Sequence, residues 1–277
     1  MTAHPVTALL VAAPQWRIAD DRTAAARAAL AAGADALQLD FGGAHRGPFL
    51  DDPAELAAAQ GIAGILPVPV LAVNHANDLG LALPDGTANP AALALLRRAL
   101  DCALRLGARV LHVPGFRRSL PVTPHLRAGT AELLRTLGNE ADAAGLTLAY
   151  ESPLDAQDSL ALARAVGRPA LRLVLDTGNL LDAGTPPAGF ARAVAAAGLL
   201  LPDLHVKDPS RPTTWRGIRT ELPDLLRHAG ARTVLVENDY RRAPGRLRAD
   251  VTACREASRH TRHTLHTLHT APRENAP

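Results

Sequence analysis

Lysine is nearly absent from this sequence: of 30 Lys and Arg side chains, Lys207 is the one lysine and the rest are arginines. Aromatic residues make up 3% of the chain, a scarcity that, beside the abundance of Ala and Leu, favours helices. There are 2 cysteines, Cys102 and Cys254, both inside predicted helices and without C-x-x-C spacing. That excludes a disulfide framework and a thiolate metal site, and a reducing cytoplasmic location is expected. Long basic blocks are missing ahead of the C-terminal segment despite a formal charge of +3 and a pI near 9.4, so no nucleic-acid partner is expected. Long apolar runs are missing too. The stretch "VTALLVAAP" is too short to span a bilayer and follows no Lys or Arg, so neither a membrane partner nor a signal peptide is expected.

What is present is a regular alternation. Short apolar runs at 6–12, 36–41, 69–75, 109–114, 146–151, 171–176, 201–206 and 232–237 read as strands. Stretches of helical period lie near 20–32, 52–65, 90–107, 127–145, 156–168, 187–198, 220–230 and 247–269. The strands read as continuous apolar runs, as burial on both faces of a parallel sheet demands. Gly33, Gly107, Gly145 and Gly230 sit where helices must stop before the next strand. Eight βα units without a linker predict an α/β protein, a single (β/α)8 TIM barrel over residues 1–270, followed by a disordered tail at 271–277. A doubly wound open sheet is the alternative.

In a parallel barrel every strand ends at one mouth. Here the strands end at "PQW", "LDFG", "VNH", "LHVPG", "YES", "LDTGN", "LHVKD" and "VEND", so ionisable groups recur at equivalent positions. The last four supply Glu151, Asp176, His205 and Glu237. Three carboxylates and one imidazole suit one divalent ion, Mn²⁺ first, with Mg²⁺, Co²⁺ or Zn²⁺ as alternatives. For any one acid alone, a strand-end carboxylate bonded to loop amides is an equal reading; four at equivalent positions favour a site.

With "LDTGN" at 175–179 and "LHVKD" at 204–208, the chain resembles the sugar phosphate isomerase/epimerase family of xylose-isomerase-like TIM barrels. The resemblance implies that Glu151, Asp176, His205 and Glu237 bind a catalytic metal and that Glu151 and Glu237 are the proton-transfer pair. It also implies that Arg211, six residues after His205, binds substrate. The chain departs from that family's ketose 3-epimerases at Asn179, where they carry histidine, and at Gln157, where they carry an acid. The loop after Asp208 lacks their frequent Gly-x-Gly.

The expected function is therefore an isomerase or epimerase of a small carbohydrate or cyclitol, acting by proton abstraction α to a carbonyl through an enediolate. An inosose-type dehydratase on the same metal is the first alternative, an endonuclease IV-like repair enzyme the second, and a barrel without turnover the third. His75, His112, Asn179, Trp16 and Phe41 are candidate substrate contacts, with capping or loop packing as the competing reading of the histidines and aromatics. Trp215 and Phe116 share that reading. Asp208 is expected to reach the mouth as a partner of His205, and Lys207 either supports the ligands or faces the outer helices. Arg117 and Arg118 in "GFRRS" are either an anion contact or a solvated pair. His260, His263, His266 and His269 drift by about 60° per step around a helix and do not form one tight cluster, so a solvated last helix is expected, with metal storage as the second reading. A homodimer or homotetramer is the expected assembly.

Overall fold

A computed structural model describes residues 9–270, apart from 211, 212, 214 and 215, with side chains as far as residue 259. The order is β1 (Leu10–Pro14), α1 (Gln15–Ile18), α2 (Arg22–Ala32), β2 (Ala36–Asp40), α3 (Pro53–Ala63), β3 (Val70–Ala72), α4 (Ala76–Leu79), α5 (Pro90–Leu106) and β4 (Val110–Pro114). It continues with α6 (Pro124–Ala144), β5 (Thr147–Glu151), α7 (Ala156–Val166), β6 (Leu171–Asp176), α8 (Thr177–Asp182), α9 (Pro187–Ala196), β7 (Leu200–Val206), α10 (Ile218–Ala229), β8 (Thr233–Val236) and α11 (Pro244–Thr270). The eight strands close into a barrel in sequence order, each parallel to its neighbours, with β1 pairing β8 through Val11 and Val234. This is the predicted (β/α)8 barrel.

Local chemistry explains where the helices begin and end. Asp52, Asn89 and Thr123 each cap the amides of a following turn that opens with proline, which has no N–H to leave unsatisfied. Asp21 and Asp155 cap α2 and α7 in the same way. The four glycines expected to stop helices all adopt the left-handed conformation, with φ between 58° and 86°. β1 begins later than the predicted 6–12, and residues 1–8 lie outside the described residues.

The strands are buried along nearly their whole length, as their continuous apolar runs predict, and their two faces pack into different clusters. Val11, Leu37, Leu39, Leu71, Leu111, Val113, Leu148, Leu173, Leu204, Val206, Val234 and Val236 belong to the large core packed under the helices. Ala12, Ala36 and Leu235 form a separate small cluster, and Ala149, Val174 and Leu201 another. Those two clusters fill the barrel interior, where Gln38 Nε2 also donates to Asp203 Oδ2 at 3.0 Å across the chain. Continuing each inward series by two residues brings it to the mouth. Ala149 leads to Glu151, Val174 to Asp176, Asp203 to His205 and Leu235 to Glu237.

Candidate active site

One ligand atom from each of Glu151, Asp176, His205 and Glu237 lies within 4.8 Å of every other, and all four residues are buried. His112 forms an overlapping group with Glu151 and His205. His205 Nδ1 is 3.0 Å from Glu151 Oε2 and 3.4 Å from Glu237 Oε2. Most of the acids have one oxygen tethered and the other turned inward. Asp176 Oδ1 accepts from the Asn179 amide at 2.7 Å and Glu237 Oε1 from Trp16 Nε1 at 3.3 Å, while Asp176 Oδ2, Glu237 Oε2 and His205 Nδ1 are buried with only charge contacts to one another, to Glu151 and to Lys207. Glu151 is held at both oxygens, by Asn179 Nδ2 at 2.6 Å and by His112 Nε2 at 2.8 Å. Buried polar atoms without well-directed hydrogen bonds are costly, and a hard divalent cation fits three such atoms gathered together.

Lys207 enters the same cluster. Its Nζ lies 3.1 Å from Asp176 Oδ2 and 3.9 Å from Glu237 Oε2, the former close enough for an ion pair although its angle misses hydrogen-bond geometry. Its stem packs over Gly178, where a Cβ would stand 2.6 Å from Lys207 Cγ. Burial alone would raise the carboxyl of Glu151, but the charge of His205 and the hydrogen bond from His112 hold it well below the usual range. Glu237 is likewise held low against burial, by Lys207 and His205. For Asp176, burial outweighs Lys207 and, with repulsion from Glu151 and Glu237, pushes the carboxyl up to about 7. His205 is raised well above its ordinary value because the two glutamates overcome its burial.

The two-residue period of a strand sorts the other candidates. Lys207 follows His205 on the inward face. Asp208, one residue on, turns outward to Arg246 instead of reaching His205, whereas Lys207 takes the ligand-supporting place that was one of its two expected readings. Phe41 belongs to the outward series and is fully buried, with Phe49 at 5.4 Å between ring centroids and Arg98 over its ring, so it does not line the cavity. His75 also turns outward, to Asp78 at 3.3 Å and Phe49, while Asn74 takes the inward place. Trp16, His112 and Asn179 line a cavity of about 320 Å³ above the cluster. Phe116 and Arg117 line it as well, and Arg118 stays exposed outside it. Gln157 is exposed on the first turn of α7. Arg211 and Trp215, and the side chains of His260, His263, His266 and His269, lie outside the described residues.

Residues 26–245 match the family described as Xylose isomerase-like TIM barrel. The chain belongs to that family. A relative within reach of direct sequence comparison is the 2-epi-5-epi-valiolone 7-phosphate 2-epimerase of Actinoplanes sp., 36% identical over 88% of this chain and 93% of the relative. Among solved structures, a D-tagatose 3-epimerase-like protein superposes with a TM-score of 0.74 over 93% of this chain and all of its own, at 15% identity. An L-ribulose 3-epimerase does so at 0.71 over 97% of this chain and all of its own, also at 15% identity. The last two share the fold. The isomerase class expected for this family member agrees with these relatives.

Other polar residues complete the mouth of this xylose-isomerase-like barrel and were not singled out in the sequence. Asp40 is buried, accepts from Asn74 Nδ2 at 3.1 Å, and is raised by that burial. Gln15 Oε1 accepts from the Asp40 amide at 3.2 Å, and its side-chain Nε2 holds the Ala19 carbonyl. Asp40 and Asn74 continue the inward series from Gln38 and Ala72, so the period that gives Glu151 also gives them. Arg46 carries no such signal, because it lies in the loop after β2.

Proposed function

We propose that this chain is a divalent-metal-dependent epimerase of a phosphorylated keto-cyclitol or ketose, working by proton abstraction α to the carbonyl. The observation that carries the reading is the convergence of Glu151, Asp176, His205 and Glu237, all buried, with one ligand atom of each within 4.8 Å of the others. The phosphorylated, ring-bearing substrate class is suggested by the name of the Actinoplanes relative. These four residues would hold one hard cation, Mn²⁺ first. That ion, when bound, supplies stabilisation of the negative charge that develops on the carbonyl oxygen.

The chain's own groups account for the rest. Glu151 and Glu237 come from β5 and from just beyond β8, and a substrate set between them presents its α-carbon to one carboxylate on each side. One takes the proton and the other returns a proton to the opposite face, which inverts that centre. Asn179 and His112 fix Glu151 and Trp16 fixes Glu237, so neither base has to search for its position.

The test is a metal analysis of full-length protein purified without chelator, followed by proton NMR in D₂O with keto-cyclitol and ketose phosphates. The reading expects about one divalent ion per chain and exchange of the proton α to the carbonyl. Absence of exchange with every ketone tried, in metal-loaded protein, would refute it, and loss of water from substrate would move the assignment to a dehydratase.

A further inference from the structure

The cavity continues from the acidic cluster to a basic wall, and the arginines there are not equally matched with acids. Arg241 Nη2 has Asp20 at 2.7 Å and Arg17 Nε has Glu237 at 3.6 Å. Arg46 and Arg117 share one carboxylate. Arg46 Nη2 lies 3.2 Å from Asp78 Oδ2 and Arg117 Nη1 lies 3.0 Å from Asp78 Oδ1, so the two guanidiniums stand side by side with Asp78 behind them. Both line the cavity and Asp78 does not. Arg46 Nε is buried and donates to nothing. Two cations on one anion leave this wall with an excess positive charge and spare N–H groups.

The loops that carry them are built to hold this pose. His45 and Arg117, with φ of 62° and 51°, are the only non-glycine residues with left-handed backbone among the described residues, and both line this cavity. Such strain persists only where surrounding contacts impose it, and it gathers at ligand sites. Those contacts are visible. The Phe116 amide donates to Asn77 Oδ1 at 2.8 Å and Ser119 Oγ to the Ala76 carbonyl at 2.9 Å, which tie the Arg117 loop to α4. Gly43 lies so close to His75 that a Cβ would stand 2.8 Å from its Cγ, which presses the His45–Arg46 loop onto the same helix start.

We propose that Arg46 and Arg117, clamped by Asp78, form the subsite for the phosphate of a phosphorylated substrate whose ketone lies over the acidic cluster. The inference rests on the epimerase reading for the ketone end and on the arginine pair for the phosphate end. A phosphate monoester presents three oxygens in a tetrahedron and can accept from two guanidiniums brought by different loops, whereas a carboxylate fills one fork. Seen this way, Arg46 and Arg117 are specificity residues. They select substrates with an anion at the far end and fix the distance from that anion to the reacting carbon.

Calorimetric titration of inorganic phosphate into the full-length chain, with Mg²⁺ present, tests the subsite. Saturable binding is expected, with acetate binding far more weakly, and Arg46→Gln and Arg117→Gln should each weaken phosphate by about tenfold or more. Arg118→Gln, at the exposed neighbour outside the cavity, should leave it unchanged. Arg117 has 67% of its side chain exposed, so its variant keeps the test open even if Arg46→Gln fails to fold. Unchanged phosphate binding in Arg117→Gln, or an equal loss in Arg118→Gln, overturns the proposal. The epimerase reading is judged separately by α-proton exchange. Phosphate binding that behaves as stated, without exchange on any ketone phosphate, keeps the subsite and sinks the reaction; exchange with insensitive phosphate binding does the reverse.

Discussion

An ammonium 3.1 Å from Asp176 and 3.9 Å from Glu237 gives the carboxylate cluster a cation from its own chain. A guanidinium is broader and would have to pass Gly178, against which the slim lysine stem already packs. That is a physical reason for one lysine in a chain that otherwise uses arginine. Lys207→Met should therefore destabilise chelator-treated protein by about 3–5 kcal/mol above about pH 7, where Asp176 is ionised, because it leaves buried carboxylates without their partner. Added Mn²⁺ should recover part of the loss. Urea unfolding with EDTA and with Mn²⁺ reads both, and a variant as stable as the parent in EDTA would show that the ammonium is not compensating the acids. Glu237→Gln keeps the shape of its side chain and removes a proton acceptor, so α-proton exchange should fall by about 10²–10⁴-fold in a chain that still folds, though less stably because Lys207 and His205 lose an anionic neighbour. Near-normal exchange would move the acid–base role to another group.

At the scale of the element, the ends of β4 and β5 are locked together by one glycine. Gly115 N–H donates to the Glu151 carbonyl at 2.6 Å, and a Cβ there would stand 2.3 Å from the hydroxyl of the fully buried Tyr150. Gly115→Ala should cost about 1–3 kcal/mol by overpacking and displace the strand ends that carry His112 and Glu151. Stability and exchange should drop together; an alanine variant with parental stability would mean that Tyr150 moves aside freely. Much of this architecture was legible in the sequence, since long helices such as α5 and α6 have several turns of apolar period and proline or glycine at their borders. The short helices α1, α4 and α8 were not, because a run of four to six residues holds too little period to register. The cluster of Glu151, Asp176, His205 and Glu237 was legible because strand ends converge. The places of His75, Phe41 and Asp208 were misjudged, and that of Lys207 was left open, because they depend on which face of the strand each residue takes, and that parity is fixed only once an inward neighbour such as Ala149 or Asp203 is known.

Across the whole molecule, the cluster links stability to both pH and metal. Asp176, raised from 3.8 to about 7, and His205, raised well above its ordinary value, hold their protons more tightly in the folded metal-free chain than in the unfolded one. Asp176 in its ionised form is penalised by the fold, so its effect is a loss of stability as pH rises from the unfolded value toward about 7. His205 adds stability below its unfolded value and loses it as pH rises through its folded one, which is the same direction. Glu151 and Glu237, held low, lose their contribution as pH falls below the ordinary carboxyl range. With chelator, then, stability should be greatest near the ordinary carboxyl range and decline from there toward about 7 and beyond. A divalent ion competes with the protons on Asp176 and His205, so its affinity rises with pH, and an ion at 100 times its dissociation constant adds about 2.7 kcal/mol. Thermal melts from pH 5 to pH 9 with EDTA and with Mn²⁺ should show two curves that nearly meet at the acid end and separate by several degrees at the alkaline end, with the optimum shifted upward in Mn²⁺. Parallel curves, or no effect of Mn²⁺ at any pH, would show that these buried acids and the imidazole do not take a metal.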